Sequence, residues 1–148
     1  MNDFLTLDKQ LCFAVYETAG EFNKMYSNAL QPFGLTYPQY LVLLALWEND
    51  GITVKELGEK LHLGTGTLTP MITRMEANGW LRKERSQQDE RKVHIHLQPK
   101  AIEHKPLITQ KVIEVISSCQ IDYEEYRQMI KLMKQLNEKL KQRGIKQT

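Results

Sequence analysis

The sequence predicts a mainly α-helical protein with a small β-hairpin wing, a winged helix-turn-helix flanked by N- and C-terminal dimerisation helices. Residues 53–97, TVKELGEKLHLGTGTLTPMITRMEANGWLRKERSQQDERKVHIHL, hold two short amphipathic segments joined by a glycine-containing turn, the pattern of a helix-turn-helix. Alternating apolar Val93, Ile95 and Leu97 then close a hairpin that runs from Leu81 to Leu97. On both sides of this unit lie apolar stripes at helical spacing.

Composition sets the frame. A chain of 148 residues is a single unit by size, and folding at this length removes roughly 70% of the unfolded chain's surface from water. The net charge of +2 is too small to name a nucleic-acid partner, so that argument rests on local clusters. Met1-Asn2-Asp3-Phe4 opens no secretory signal, and the apolar run Tyr40 to Trp47 is far short of the ~20 residues that span a membrane. Two cysteines without disulfide-framework spacing fit a reducing cytoplasm. The expected division is a DNA-binding part over 37–98 and a dimerisation part over 1–36 and 99–148.

The elements follow in order. Leu11, Val15, Ala19, Phe22, Tyr26 and Leu30 form one stripe on a helix from about Asp8 to Phe33, ended by Gly34. A second helix, about Pro38 to Asn49, is apolar on most sides and therefore buried. Thr53 and Glu56 make a capping box, and Val54, Leu57 and Leu61 give the third helix its buried face. Leu63 to Gly66 breaks it. The fourth helix turns Leu68, Met71, Ile72 and Met75 inward and stops at Gly79. Beyond the hairpin, Pro99 suits the first position of a helix through Ile108, Val112 and Val115 to about Ser118. A last helix from near Ile121 carries Met129, Met133, Leu136 and Leu140, a coiled-coil-like seam. The polar tail from Lys139 to Thr148 is expected to fray. The stripes outside the reader have no intrachain use once it is folded, so a second copy is expected to cover them. Two recognition helices related by a two-fold axis would then meet successive major grooves about 34 Å apart.

The polar residues of the reader suit DNA. Thr65, Thr67 and Thr69 open the fourth helix with small donors and acceptors for phosphates and base edges, and Arg74 lies further along. In the wing, Arg82, Lys83, Arg85, Arg91 and Lys92 outnumber Glu84, Asp89 and Glu90. Asp89 and Arg91, two apart, would share one side of an extended strand, where the carboxylate can aim the guanidinium into a minor groove. The plainer reading is a surface ion pair worth about 0–1 kcal/mol.

Four segments carry a resemblance. The winged helix-turn-helix between terminal helices, with the wing strand DERKVHIHL, resembles the MarR family of bacterial transcription regulators, and QLCFAVY near the start, LTYPQYLVLLALWE and the recognition helix GTLTPMITRME resemble its organic-hydroperoxide-sensing OhrR branch. The resemblance weakens after Pro99. It implies a homodimer that binds a palindromic operator on double-stranded DNA, represses, and lets go when an organic hydroperoxide oxidises Cys12 to a sulfenic acid. The resemblance also implies that tyrosine hydroxyls hold the oxidised sulfur, and Tyr16, Tyr26 and Tyr37 stand at the matching positions.

The residues themselves leave room for other readings. A cysteine on an apolar helix face is usually inert core, yet Cys12 lies in the first turns of its helix, where the dipole favours a thiolate. Tyr16 follows one turn later on the same face. Tyr26, fourteen residues on, is roughly 21 Å away along a straight helix and can serve only the Cys12 of another subunit. The preference for an organic peroxide is what the resemblance implies, and an apolar pocket with Phe13 and Phe22 near Cys12 is compatible with it. Cys119 is either a resolving thiol that condenses with the sulfenic acid, as in two-cysteine members, or a spectator.

Departures from the family pattern are specific. Gly64 replaces a frequent Asp before the recognition helix, leaving Thr65 as the substitute cap, and Leu97-Gln98-Pro99-Lys100 alters the exit from the wing. Pro70 removes one helical hydrogen bond from what is read as a first-turn position. His94 and His96 share a face of the wing strand, but with His62 and His104 they match no closed zinc spacing, so neither metal nor cofactor is expected and the histidines are assigned to DNA or solvent. Trp47 and Trp80 are assigned to the core. No Cys-x-x-Cys motif or strand–helix alternation supports a thiol peroxidase, so an enzyme is not expected. A repressor released by a small phenolic ligand, with Cys12 merely structural, is the remaining rival.

Overall fold

The computed structural model describes residues 2–144 and separates into two compact units, Met1–Val112 and Ile113–Thr148. The part of the basic tail at 145–148 lies outside the described residues, as does Met1. In the first unit, 3-10 turns at Asn2–Leu5 and Leu7–Lys9 lead into helix α1, Leu11–Leu30. A further 3-10 turn, Gln31–Phe33, closes it, and the extended Gln10 breaks the predicted stretch near its start, so the α-helical part is shorter than expected. Gly34, at φ 69°, reverses the chain in a conformation that costs a side-chain-bearing residue energy. The expected stripe is split along α1. Tyr26, Ala29 and Leu30 are buried, whereas Leu11, Val15 and Phe22 are exposed.

Helix α2, Tyr37–Glu48, begins with a complete capping box. The Gln39 amide donates to the Thr36 hydroxyl and the Thr36 amide to the Gln39 side chain, satisfying two of the otherwise orphaned first-turn donors. Tyr40, Val42, Leu43, Ala45 and Leu46 are buried, as expected of a helix apolar on most sides. Helix α3, Val54–Leu61, starts at Thr53, whose hydroxyl accepts from the Glu56 amide at 3.1 Å. The reciprocal half of this box differs from expectation: the Glu56 carboxylate accepts from the Thr53 hydroxyl at 3.0 Å instead of reaching its amide.

His62 enters the left-handed region at φ 56°, and Leu63 N–H donates back to Gly58 O at 3.0 Å. A Cβ on Gly58 would lie 2.9 Å from Leu63 O, so the tight turn requires glycine there. Helix α4, Thr65–Ala77, buries Leu68, Ile72 and Met75. Pro70 is the sixth residue of this helix, beyond its first turn, so it removes the bond that its amide would have made to Gly66 O.

Strands β1, Leu81–Arg85, and β2, Val93–Leu97, pair antiparallel with Leu81 opposite Leu97 and Arg85 opposite Val93. On its other edge β2 meets the segment before α3: Ile95 N–H donates to Ile52 O at 2.8 Å, and Gly51 N–H to Ile95 O at 3.0 Å. Ile95 is fully buried, while Val93 and Leu97 are half-buried. Helix α5, Pro99–Ser118, starts at Pro99 as expected and buries Ala101, Ile108 and Val112. Trp80 is buried beside His104, and Lys100 Nζ sits 4.4 Å from its ring centre. Trp47 is only half-buried and donates its indole N–H to Ala101 O at 3.1 Å.

The second unit holds the end of α5, a turn in which Gln120 takes φ 58°, and helix α6, Tyr123–Gln142. Asp122 caps α6 by accepting from the Glu125 amide at 2.8 Å. Met129, Met133 and Leu140 of the expected seam are exposed together with Leu132, and Leu136 is half-buried. Among the described residues no helix is long and apolar enough to cross a membrane.

Candidate nucleic-acid interface and sensor cysteine

A groove of about 900 Å³ opens between α3, α4 and the wing. Lys55, Thr65 and Thr69 line it from the helices, and Lys83, Arg85, Arg91 and Lys92 from the wing, with Glu56, Glu59 and Glu76 between. Of the residues assigned to DNA from the sequence, the groove thus gathers Thr65, Thr69, Arg85, Arg91 and Lys92. Thr67 and Arg74 are exposed on α4 but outside its lining, and Asp89 acts at one remove. Gly64 is the N-cap residue and supplies no side-chain bond; Thr65 is already inside the helix, so it is not the substitute cap. The opening amides of α4 therefore lack a side-chain partner there and can face an anion, favoured by the helix dipole.

The wing turn is built by hydrogen bonds that alternation alone does not reveal. Ser86 Oγ accepts from the amides of Gln88 and Asp89, and Ser86 N–H donates to Lys92 O at 2.8 Å. Asp89 and Arg91 fall in this turn, not on an extended strand. The Asp89 carboxylate accepts from the Arg91 amide at 3.0 Å and lies 3.6 Å from its Nε. The side chain of Arg91 is 94% exposed, so the carboxylate steadies its root and leaves the guanidinium to an outside partner. Arg85 Nη1 donates to Glu90 O across the turn.

The histidines correct the expectation that they face DNA or solvent. His94 and His96 are half-buried; His94 Nδ1 lies 2.9 Å from Gly51 O, and His96 Nε2 lies 3.1 Å from Glu84. His104 packs on Trp80 with its Nδ1 2.9 Å from Lys100 O. Only His62 is exposed. No group of three or more His, Cys, Asp or Glu side chains among the described residues could hold a metal ion.

Cys12 is the second residue of α1 and is exposed, not core. Its sulfur lies 3.8 Å from Gln10 Oε1, and the Gln10 amide group bonds in turn to Phe4 O. The tyrosines divide. Tyr16 is 78% exposed near Cys12, whereas Tyr26 is buried and stacks on Tyr37 at 4.8 Å and against Tyr40 at 5.8 Å. Because α1 is one unbroken helix, Tyr26 stays roughly 21 Å from the Cys12 of its own chain. Phe22, stacked on Tyr26, is likewise ten residues from Cys12, about 15 Å, and does not line a pocket beside it; Phe13 is half-buried. Cys119 is exposed, its sulfur 3.4 Å from Val115 O.

Residues 24–108, more than half of the chain and all of the helix-turn-helix and wing, match the family model described as transcriptional regulator SarA/Rot. The chain belongs to the SarA/Rot and MarR-type winged-helix transcriptional regulators. Relatives refine the placement. The regulator is 44% identical over 113 residues to the organic hydroperoxide resistance transcriptional regulator of Bacillus subtilis, covering 76% of this chain and 74% of that one. It is 52% identical over 99 residues to the transcriptional regulator TtmR of Methylorubrum extorquens, 67% of this chain, and that match spans about half (51%) of TtmR. Among solved structures, reduced AbfR bound to DNA is 39% identical with a TM-score of 0.80, covering 91% of this regulator and 92% of AbfR. Overoxidised AbfR bound to DNA gives 36% and 0.77, with 94% and 98% covered. Disulfide-formed AbfR gives 38% and 0.66, with 95% and 93% covered.

Proposed function

We propose that this regulator is a cytoplasmic, homodimeric, DNA-binding repressor that senses organic hydroperoxides by oxidation of Cys12 and then releases a palindromic operator. The observation that carries the reading is an exposed thiol in the first turn of a helix whose other end is packed into the reader. Cys12 opens α1, and Tyr26, toward its far end, stacks on Tyr37 and Tyr40 of α2. A rigid helix of this length transmits a displacement at the thiol to the DNA-reading unit. The similarity to the Bacillus hydroperoxide resistance regulator supports the chemistry.

On DNA, α4 enters the major groove with the Thr65 and Thr69 hydroxyls and its opening amides, while Arg85, Arg91 and Lys92 hold the backbone and the minor groove. Thr67 and Arg74 face outward from α4 and extend the same contact. The exposed apolar residues of α1 and α6 support a second copy as their cover, and a dimer presents two recognition helices to half-sites about 34 Å apart.

The redox step proceeds from the Cys12 thiolate, which attacks the terminal oxygen of the hydroperoxide. The O–O bond breaks, the alkoxide leaves and takes up a proton as the alcohol, and Cys12 becomes a sulfenic acid. A second thiol, from Cys119 or a small free thiol, then condenses with it; a disulfide forms and water leaves. AbfR stands on DNA both reduced and overoxidised, which supports a disulfide, not added oxygen alone, as the releasing species here. Tyr16 from the same chain and Tyr26 and Tyr37 from a second copy complete the sulfur's pocket.

The test is fluorescence anisotropy on the palindrome upstream of the protein's own coding sequence, at fixed salt, with cumene hydroperoxide titrated in. Wild type is released and Cys12→Ser stays bound; Cys119→Ser without added thiol shows whether the second thiol is internal. Tight binding by both proteins with no release sinks the peroxide sensor and turns attention to a phenolic effector. Peroxide turnover that scales with a thiol reductant points to an enzyme instead.

A further inference from the structure

An electrostatic fastening joins the recognition helix to the middle of the wing hairpin. Ile95 turns its amide and carbonyl toward Gly51 and Ile52, away from β1. In an antiparallel ladder the residue opposite must then turn its own groups to the far side. That residue is Lys83, so its amide points out of the free edge of β1. There the Glu76 carboxylate, from the last turn of α4, accepts it at 2.6 Å. The other carboxylate oxygen lies 3.8 Å from Lys83 Nζ, which in turn donates to the Thr73 hydroxyl at 3.3 Å. Thr73 donates onward to Thr69 O, on the groove wall.

We propose that Glu76 is a positioning residue that locks the wing to the recognition helix and so fixes the spacing between the two walls of the groove. The inference rests on the DNA-reading role of that groove. The chemistry favours a lock over a passive acid. A short bond from an edge amide to a carboxylate is of the charge-assisted kind, and it occupies the outward amide through which the middle of β1 would otherwise donate to water or another strand. Arg85 follows Lys83 on the same strand, two residues on and on the same face, and its guanidinium holds Glu90 O across the turn that bears Arg91. Fixing Lys83 therefore fixes both arginines relative to Thr65 and Thr69. A carboxylate that served only as a stray charge in a basic groove would repel phosphates, and its removal would tighten DNA binding.

The full-length Glu76→Ala and Glu76→Gln proteins distinguish these. In the DNA-free protein, hydrogen exchange followed by NMR finds the Lys83 amide protected in wild type. Protection is lost in Glu76→Ala and largely kept in Glu76→Gln, whose side-chain oxygen still accepts. On a duplex selected by wild type, Glu76→Ala binds about tenfold more weakly and Glu76→Gln within about threefold of wild type. The salt dependence of Glu76→Ala is also shallower, by about one to two phosphate contacts, because the wing arginines no longer reach together. Wild-type or tighter binding by Glu76→Ala with an unchanged salt slope overturns the lock. So does an unprotected Lys83 amide in wild type. Failure of wild type to select any duplex is a different result: it removes the DNA-reading role, and the proposal with it.

Discussion

The helix-turn-helix with its wing and the helices that flank it follow opposite rules of burial. In the reader Leu57, Met75, Leu81 and Ile95 are 0% exposed, as are Leu43 and Leu46 of α2, which packs against it. Along the first half of α1 and along α6, residues of the same chemistry stand in solvent: Leu11 is 61% exposed, Leu132 60% and Met133 53%. The reader closes its core within one chain. The flanks leave an apolar surface that one chain does not cover, and such surfaces mark association sites. The difference separates a core closed by its own packing from helices whose apolar side chains stand exposed.

The largest expected effect lies on the closed side. Leu46→Ala removes a fully buried side chain and should lower stability by about 2–5 kcal/mol in urea unfolding; a loss within error of zero would mean that this core is not closed. Gly58→Ala should cost about 1–3 kcal/mol, because its Cβ would meet the Leu63 carbonyl at 2.9 Å and a backbone oxygen cannot swing aside. On the open side, Met133→Glu should leave helix content unchanged and weaken dimerisation at least tenfold, about 1.4 kcal/mol, by sedimentation. A dimer of undiminished affinity would place the interface elsewhere. The smallest effect is Thr36→Ala, which strips the capping box of α2 and should cost about 1 kcal/mol in thermal unfolding while leaving the dimer untouched.

Legibility divides along another line. Patterns that repeat within an element were readable: the helices marked by apolar spacing, the Gly34 and Gly79 stops, Pro99 at a helix start and the existence of strand β2. What escaped depends on residues far apart in sequence. Nothing local in Gly51-Ile52-Thr53 says that it pairs with β2, yet this pairing occupies His94 and sets which way Lys83 faces. The role of Glu76 follows from that orientation and was invisible for the same reason. Ser86 and Asp89 make a local turn, and a Ser three residues before an Asp was a signal that a strand reading of Asp89 and Arg91 concealed. The position of Cys12 in the first turn of its helix was legible. Its exposure was not, because periodicity marks an apolar face without saying whether the chain itself covers that face.

The account stands most directly on the chemical state of Cys12 in protein that has left its operator. Operator-bound regulator, treated with less than one equivalent of cumene hydroperoxide, can be separated into retained and released fractions and each examined by mass spectrometry of the intact protein and of the peptide that bears Cys12. The account predicts Cys12 as a disulfide in the released fraction and as a free thiol in the retained one. Released protein whose Cys12 is still a free thiol would contradict it.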